Sequence, residues 1–184
     1  SVSDLDGIGI GSPGTIDSTN GVVVYSNNLK WDNVPICDEL KKYIDVPIRI
    51  ENDANAAAYG EYIVNGDNVD SFVAITLGTG VGGGVIINKN IYRGFNGAGG
   101  ELGHITLVHN GERCTCGNDG CWEAYASVTA LIRQTKKAIE ENPESLLAKE
   151  AKKEGKVSGR TSFNAAKEGD AIAEKVVDQY IEYV

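Results

Sequence analysis

The sequence predicts an α/β fold, and three features indicate it. Short runs of β-branched and glycine residues, such as 7–11 and 72–77, have the composition of strands. Helical patterns alternate with them, the clearest being the alanine-rich stretch 56–63. Polar side chains at 51–55 stand where a strand runs into a helix, and strand ends are where α/β sheets bind ligands. We therefore expect a sheet with helices and a ligand site at its strand ends.

Charge and composition exclude several classes of protein. The chain of 184 residues has 17 Lys and Arg against 26 Asp and Glu, a formal charge of −9, and its basic residues are scattered. This balance repels phosphate backbones, so no nucleic-acid binding is expected. No apolar run is long enough to cross a bilayer and no signal peptide opens the sequence, so a cytoplasmic protein is expected. The lack of methionine and a helical pattern that reaches the last residue indicate a piece of a longer protein.

The first fifty residues alternate strands with polar turns. The predicted strands are 7–11, 22–25 and 47–50, with a short helix at 35–43. Gly14, in the tight turn 12–17, suits either the close approach of a ligand or a plain turn. Asn27, in the polar loop 26–31, suits either hydrogen bonding to hydroxyl groups or ordinary turn chemistry.

Glu51, Asn52, Asp53 and Asn55 follow the third predicted strand and precede the alanine-rich helix. One such side chain would cap the helix, and the helix dipole favours a carboxylate there. A cap requires only one residue, whereas carboxylates and amides stand here in a row. The excess favours a ligand site at this strand end.

Glycines follow the next predicted strand, 72–77, which is apolar on both faces as a central strand would be. Five of the seven residues in 78–84 are glycine, and 85–87 then suits the second strand of a hairpin. Successive exposed N–H groups cradle anions, usually phosphate. The Lys-Ser/Thr ending of a Walker loop is missing, and a purely structural turn is the alternative.

One histidine and three cysteines form the most specific pattern in the sequence. His104 is followed by Cys114, Cys116 and Cys121, which lie within eight positions of one another. One imidazole and three thiolates complete a tetrahedral Zn²⁺ shell, and a filled shell holds structure. A disulfide or free thiols are the alternative. The distant Cys37 is expected to be a buried or half-buried thiol.

Two carboxylates flank this pattern. Glu101 ends a glycine-rich loop at 93–100 and stands three residues before His104, so one helical turn would point both side chains the same way. Glu123 comes two residues after Cys121, where a metal would hold it rigidly. Solvated surface charges are the alternative for both carboxylates.

Helices are predicted for the last third of the chain. They run from an N-cap at Ser127 to about Glu140, through the charged stretch 142–156, over 161–168, and from a cap at Asp170 to the end. The stretch 142–156 is expected to be solvated. The last helix is expected to make core contacts through Ala173, Val176, Val177, Tyr180, Ile181 and Val184.

Taken together, five segments resemble the ROK family of sugar kinases and sugar-responsive repressors, and within it the bacterial glucokinases. The segments are 12–14, 51–55, 77–84, 101–104 and 114–123, and their order and spacing match from about residue 7 to residue 127. The resemblance implies the actin-like, ribonuclease H-like ATPase fold, with sugar and ATP bound between two α/β lobes. Residues 1–52 would end the N-terminal lobe and residues 53–184 would belong to the larger one.

The resemblance also implies a role for each matching residue. Asp53 would be the general base that takes the proton of the sugar hydroxyl being phosphorylated. The other sugar-binding residues would be Gly14, Asn27, Asn52, Glu101, His104 and Glu123. Gly78, Thr79 and Gly80 would face the phosphates of ATP with Mg²⁺. Structural Zn²⁺ would be held by His104, Cys114, Cys116 and Cys121.

The expected function is ATP-dependent phosphorylation of a hexose, glucose to glucose 6-phosphate, by a homodimer. The family's N-terminal Asp-x-Gly-x-Thr hairpin and its C-terminal adenosine-binding glycine segment lie outside these residues, so the fragment alone is expected to bind sugar and zinc without transferring phosphate. One alternative is the sugar-sensing domain of a ROK repressor, and another is a zinc-stabilised interaction module. The preferred hexose stays open, because glucose, mannose, fructose and N-acetylmannosamine offer similar hydroxyl groups.

Overall fold

The computed structural model describes residues 5–66 and 68–184, and they form a mixed α/β fold. The strands are β1 (Ile8–Ser12), β2 (Thr15–Asp17), β3 (Val22–Ser26), β4 (Trp31–Val34), β5 (Ile48–Asn52), β6 (Ser71–Leu77), β7 (Val81–Ile87) and β8 (Asn90–Ile91). The helices are α1 (Ile36–Lys41), α2 (Asp53–Asn65), α3 (Glu123–Ala126), α4 (Val128–Glu141), α5 (Leu146–Glu154), α6 (Thr161–Lys167) and α7 (Ala171–Tyr183). A short 3-10 helix spans Leu102–His104.

The chain divides into two compact units. The first comprises the residues up to Ile75 together with Gly83–Glu101, and the second comprises Thr76–Gly82 and Leu102–Val184. The lobe boundary expected after residue 52 concerns the whole protein and stays a prediction. Residues 1–4 and 67 of the two expected lobes lie outside the described residues.

The core of the first unit lies between two sheets. Strands β1 and β5 pair in parallel, with Ile10 opposite Ile50 and Ser12 opposite Asn52. Strands β2, β3 and β4 form an antiparallel sheet, and Val23 is fully buried against the first pair. Because β1 and β5 are parallel, the turn after β1 and the start of α2 emerge at the same end of the pair. The predicted strand-end cluster is therefore present.

Several local predictions for this unit need correction. Residues 15–17 form a strand because their backbone pairs with β3, so the tight turn is shorter than expected. Strand β4 was not expected, because the polar residues of Trp31–Val34 give no strand pattern. Helix α2 begins at Asp53 and not at residue 56. Cys37 is buried, as predicted.

The glycine-rich hairpin also differs from its prediction. Strand β7 begins at Val81, so the glycines at 82–84 lie in a strand and only 78–80 form the turn. Glycine is needed at 84 because a Cβ there would clash with Ala58 of α2. Strand β6, expected to be central, is an end strand of the β6-β7-β8 sheet, and its side chains Val73 and Ile75 are exposed. The apolar residues of β6 predicted a strand with neighbours on both sides. In the described chain, however, β6 pairs only with β7, and no strand pairs with its outer edge.

Helices α4 to α7 form the core of the second unit. Leu147, Ala165 and Ala173 are buried together, with Ile139 and Ile172 packed on them. The stretch expected to be solvated therefore contributes a buried face through α5. The opposite correction applies at the end of the chain, where Ile181 and Val184 are exposed although their helical spacing predicted core contacts. In the described part of the chain, no helix has the length and apolar character needed to cross a bilayer.

Asp170 connects two of these helices. Its Oδ1 accepts hydrogen bonds from the N–H groups of Ile172 and Ala173, which caps α7 as predicted, and its Oδ2 accepts one from Leu147 in α5. Burial acts to raise the pKa of Asp170, but these backbone hydrogen bonds outweigh it and lower the pKa below 3.8. The ionised form therefore stabilises the fold. Its contribution is complete above about pH 4, the unfolded value, and is lost as the pH falls through the lower folded value.

We expect Asp170→Asn to reduce the free energy of unfolding at pH 7 by about 1 to 3 kcal/mol, because a neutral amide replaces a charge that accepts three N–H groups. The deficit relative to the wild type should shrink as the pH approaches 3. Urea unfolding at both pH values measures it, with the exposed Asp178→Asn of the same helix as a control. A deficit that is the same at pH 3 and pH 7 would contradict the assigned role.

Candidate functional site

The turn after β1 and the start of α2 are joined by a hydrogen bond. The Asn52 side-chain Nδ2 donates to the backbone oxygen of Gly14 at 3.1 Å. Gly14 has φ +107, and a Cβ there would clash with the backbone of Tyr25, so only glycine fits this turn. Two of the predicted sugar-binding residues, 38 residues of sequence apart, are therefore neighbours at the strand ends.

Asn52 is the N-cap of α2. Its Oδ1 accepts from the N–H groups of Ala54 at 3.0 Å and Asn55 at 3.1 Å. Both lone pairs of this oxygen are therefore used, and the amide keeps one N–H for a ligand. Capping and ligand binding were alternatives for this residue in the sequence, and the amide has the capacity for both.

Asp53 is the first residue of α2 and its side chain is exposed. Its Oδ1 accepts from the N–H of Ala54 at 2.9 Å. Asp53 thus presents a proton acceptor at the strand ends, beside Asn52.

The remaining predicted sugar ligands of the first unit are exposed. Asn27 accepts from the Lys30 ammonium at 3.1 Å within the turn after β3, which is the ordinary turn chemistry considered as its alternative. Glu101 ends the loop 93–100, and its N–H donates to the oxygen of Ala98 at 3.3 Å. Their binding roles stay predictions.

His104 and the three clustered cysteines meet in the second unit. Their ligand atoms all lie within 4.8 Å of one another. The sulfurs of Cys116 and Cys121 are 3.6 Å apart, and the Cys114 sulfur is 3.6 Å from His104 Nδ1. A tetrahedral zinc site has edges of about 3.8 Å between sulfurs and about 3.6 Å from sulfur to nitrogen. A disulfide needs about 2.05 Å, so the geometry fits zinc and excludes the disulfide alternative.

Two thiols of this cluster differ in pKa when no metal is bound. Burial, together with the neighbouring thiols, raises the pKa of Cys121 to about 12. Burial also opposes ionisation of Cys116, but hydrogen bonds from the Asn118 backbone and the neighbouring thiols outweigh it and lower its pKa. A divalent cation would remove this difference in pKa, because it stabilises the thiolate form of every cysteine that binds it.

Glu123 connects this cluster to the glycine turn. Its Oε2 accepts from the N–H of Val81 at 3.0 Å, and its Oε1 lies 3.9 Å from the Cys114 sulfur. Glu123 is also the first residue of α3, a helix that the sequence pattern did not predict. The predicted sugar ligand is therefore fixed between the metal ligands and the residue that follows the turn.

The turn 78–80 rests on the start of α4. The N–H of Val128 donates to the Gly78 oxygen at 2.9 Å, and the Thr129 hydroxyl donates to the Thr79 oxygen at 2.7 Å. The Gly78 N–H is used within the turn, where it donates to the Gly80 oxygen. Among the described residues, the N–H groups of Thr79 and Gly80 have no hydrogen-bond partner. The anion cradle expected for 78–84 is thus reduced to two donors.

Glu51 and Arg93 were assigned no role from the sequence, yet their side chains form an ion pair at the strand end. Glu51 belongs to the polar run 51–55 that favoured a ligand site, so the sequence pattern could have identified it. Arg93 lies 42 residues away, and no local pattern marks the contact.

Comparison with known proteins identifies relatives along the whole chain. The ROK family model matches residues 1–184. A glucokinase of Halalkalibacterium halodurans is 42% identical over 100% of this chain and 56% of its own length. The xylose repressor of Bacillus subtilis is 45% identical over 72% of this chain and 35% of its own length. The chain spans about half the length of the curated relatives that it matches.

A solved structure has the same fold. The structure of a ROK family glucokinase from Streptomyces griseus in complex with glucose and AMPPNP is similar with a TM-score of 0.82 and 38% sequence identity. The match covers 98% of this chain and 59% of that chain. The actin-like ATPase fold expected from the five segments is therefore confirmed for this part of the protein.

We expect the purified protein to contain about one zinc ion per chain and to lose it in Cys121→Ala but not in Cys37→Ala. Removing zinc should lower the unfolding temperature by about 20 °C or more, because 1 kcal/mol corresponds to about 2–4 °C at this chain length and structural zinc contributes about 10–16 kcal/mol in small model sites. Elemental analysis and thermal unfolding with and without a chelator measure both effects. A metal-free protein of unchanged stability would contradict a structural site.

Proposed function

Because the chain belongs to the ROK family, we propose that it is the sugar-binding and zinc-bearing part of an ATP-dependent hexose kinase that converts glucose to glucose 6-phosphate. The relatives support a kinase, since a glucokinase matches the entire chain. The bound ligands of the Streptomyces griseus enzyme, glucose and AMPPNP, support both substrates. A homodimer in the cytoplasm stays the expectation for the whole protein.

The observation that carries this proposal is the exposed carboxylate of Asp53 beside the capping amide of Asn52. Phosphoryl transfer requires a group that accepts the proton of the attacking hydroxyl, and a positioned carboxylate suits this task. The backbone of helix α2 fixes the position of Asp53, so its carboxylate needs little reorganisation before reaction.

The proposed steps use the groups described above. The remaining N–H of Asn52 binds a sugar hydroxyl, with Gly14, Asn27, Glu101, His104 and Glu123 as the further sugar ligands. Asp53 accepts the proton from the hydroxyl that attacks the terminal phosphate of ATP. The N–H groups of Thr79 and Gly80, in the turn with Gly78, bind the phosphates of the Mg²⁺ complex of ATP. Zinc, when bound, fixes His104 and the segment that leads to Glu123.

A second candidate is the sugar-sensing domain of a repressor. It is favoured by the identity of 45% to the Bacillus subtilis xylose repressor. A sensor requires sugar binding but no proton acceptor and no phosphate site. The two functions are therefore distinguished by turnover and not by affinity.

The protein that contains this chain should release ADP when ATP and Mg²⁺ are mixed with glucose, and less with other hexoses. No ADP release with any of glucose, mannose, fructose and N-acetylmannosamine would refute the kinase. Glucose binding by calorimetry without turnover would support the sensor. An absence of both would leave the zinc-stabilised interaction module.

We expect Asp53→Asn to lower kcat by a factor on the order of 10² to 10⁴, the range for a positioned base, with little change in the Kd for glucose. The amide keeps the size and polarity of the side chain but accepts no proton. Coupled ADP assays give kcat and calorimetry gives the Kd, with the exposed Asp45→Asn as a matched control. Equal losses of affinity and turnover would argue against a base.

A further inference from the structure

The Glu51 carboxylate joins four segments of the first unit. Its Oε2 accepts from the Ser18 hydroxyl at 3.1 Å and from Arg93, through Nε at 2.9 Å and through Nη2. Its Oε1 accepts from the N–H of Asn52 at 3.0 Å and from Asn55 Nδ2 at 3.3 Å. Only 15% of the Glu51 side chain is exposed. A carboxylate with this many donors has no capacity left for solvent or substrate.

Glu51 is ionised under ordinary conditions. Partial burial acts to raise its pKa, but the hydrogen bonds and charge of Arg93 and the N–H of Asn52 outweigh burial and hold the pKa below its usual range. The contact is therefore a charge-assisted pair, of which one partner is largely shielded from water. Such pairs are shorter and stronger than neutral hydrogen bonds.

Arg93 closes the loop that leads to Glu101. Its backbone oxygen accepts from the N–H of Gly99 at 2.9 Å, so the two ends of 93–99 meet. The side chain of Arg93 then fixes the closed loop to the end of β5 through Glu51. The N–H of Glu101 donates to the Ala98 oxygen at 3.3 Å, which attaches Glu101 to the same loop.

The far end of the loop packs against Asn55. A Cβ placed on Gly100 would lie 3.1 Å from Asn55 Oδ1, so the Gly100 backbone packs directly on this buried amide. Asn55 Nδ2 donates to Glu51, so the carboxylate that binds Arg93 also contacts the side chain on which Gly100 packs. Asn55 is only 4% exposed, so this arrangement is shielded from water.

We propose that Glu51, through its pair with Arg93, is a positioning residue that holds the Glu101 loop in register with Asn52 and Asp53 at the sugar site. This inference rests on the proposed function, because it assigns Glu101 to the sugar. Glu51 itself makes no contact with substrate. It sets the position of one sugar ligand relative to the capping amide and the base.

The pair is not an ordinary surface ion pair. Exposed pairs such as Lys42 with Glu39, at 2.7 Å at the end of α1, contribute little because water screens both charges. Glu51 differs because it also accepts from the backbone N–H of Asn52, the residue that caps α2. Glu51→Gln keeps one acceptor oxygen and places an amide NH2 at the other position, so either the donors on Oε1 or those on Oε2 lose their acceptor.

The test uses the whole protein and the variants Glu51→Gln and Arg93→Met. Each should raise the KM for glucose on the order of 10-fold, the effect of losing a charged hydrogen bond, and leave the KM for ATP unchanged. Arg93→Lys should recover part of the loss, because an ammonium keeps the charge but not the two-nitrogen contact. Glu39→Gln, which removes the exposed pair on α1, is the matched control and should change neither constant.

A Glu101→Ala background separates positioning from general stability. If Glu51 acts through Glu101, then Glu51→Gln adds no further increase in the KM for glucose in that background. Independent effects that multiply would overturn the proposal, as would an unchanged KM for glucose in both single variants. Equal increases for glucose and ATP, accompanied by a lower unfolding temperature, would show a structural role only and also overturn it.

Two further outcomes keep this inference distinct from the proposed function. If Glu51→Gln does not fold, Arg93→Met provides the same comparison, since 43% of the Arg93 side chain is exposed. If the wild type binds a hexose without turnover, the kinase is refuted and the same predictions apply to the Kd measured by calorimetry. A wild type that binds no hexose overturns both proposals.

Discussion

The hydrogen bond from the Val81 N–H to Glu123 is the contact on which the second unit's candidate site depends. Between the 3-10 helix and α3, the described backbone forms turns and two isolated bridges, Thr106 with Cys121 and Arg113 with Asp119. Backbone hydrogen bonds such as that from Leu107 to the Gly120 oxygen hold these turns, and the histidine and cysteine ligands add a constraint of their own. Glu123 follows the last cysteine by two residues, so fixing the cluster fixes the carboxylate, and the carboxylate fixes the residue after the glycine turn.

A carboxylate has the corresponding role in the first unit. Asn52 and Asp53 are positioned by the backbone of β5 and α2, whereas Glu101 stands at the end of an irregular loop that no ladder of hydrogen bonds holds. Loops order only when interactions offset the entropy of their chain. Glu51 provides such interactions with Arg93 and Asn55. Both units thus use a carboxylate that accepts a backbone N–H where regular structure ends.

Local chemistry explains which features the sequence predicts. The Ser127 and Asp170 caps and the four metal ligands are recognised because each depends on residue types at short spacing. The pair of Glu51 with Arg93 and the end position of β6 depend on contacts between distant residues, and no spacing rule reports them. Strand β4 and helix α3 are held by their neighbours despite weak local preference, which is the usual way in which tertiary context overrides propensity.

Asp53 is the residue at which the two candidate functions separate. In both proposed functions, the Asn52 amide, the loop that leads to Glu101 and the metal-held segment would serve sugar binding. Only phosphoryl transfer requires a proton acceptor that stays ionised and exposed. Asp53 is exposed at the first position of α2, beside the Asn52 cap. The identity shared with kinases and repressors is consistent with a common binding site, and in the proposed kinase the chemistry would depend on this one carboxylate.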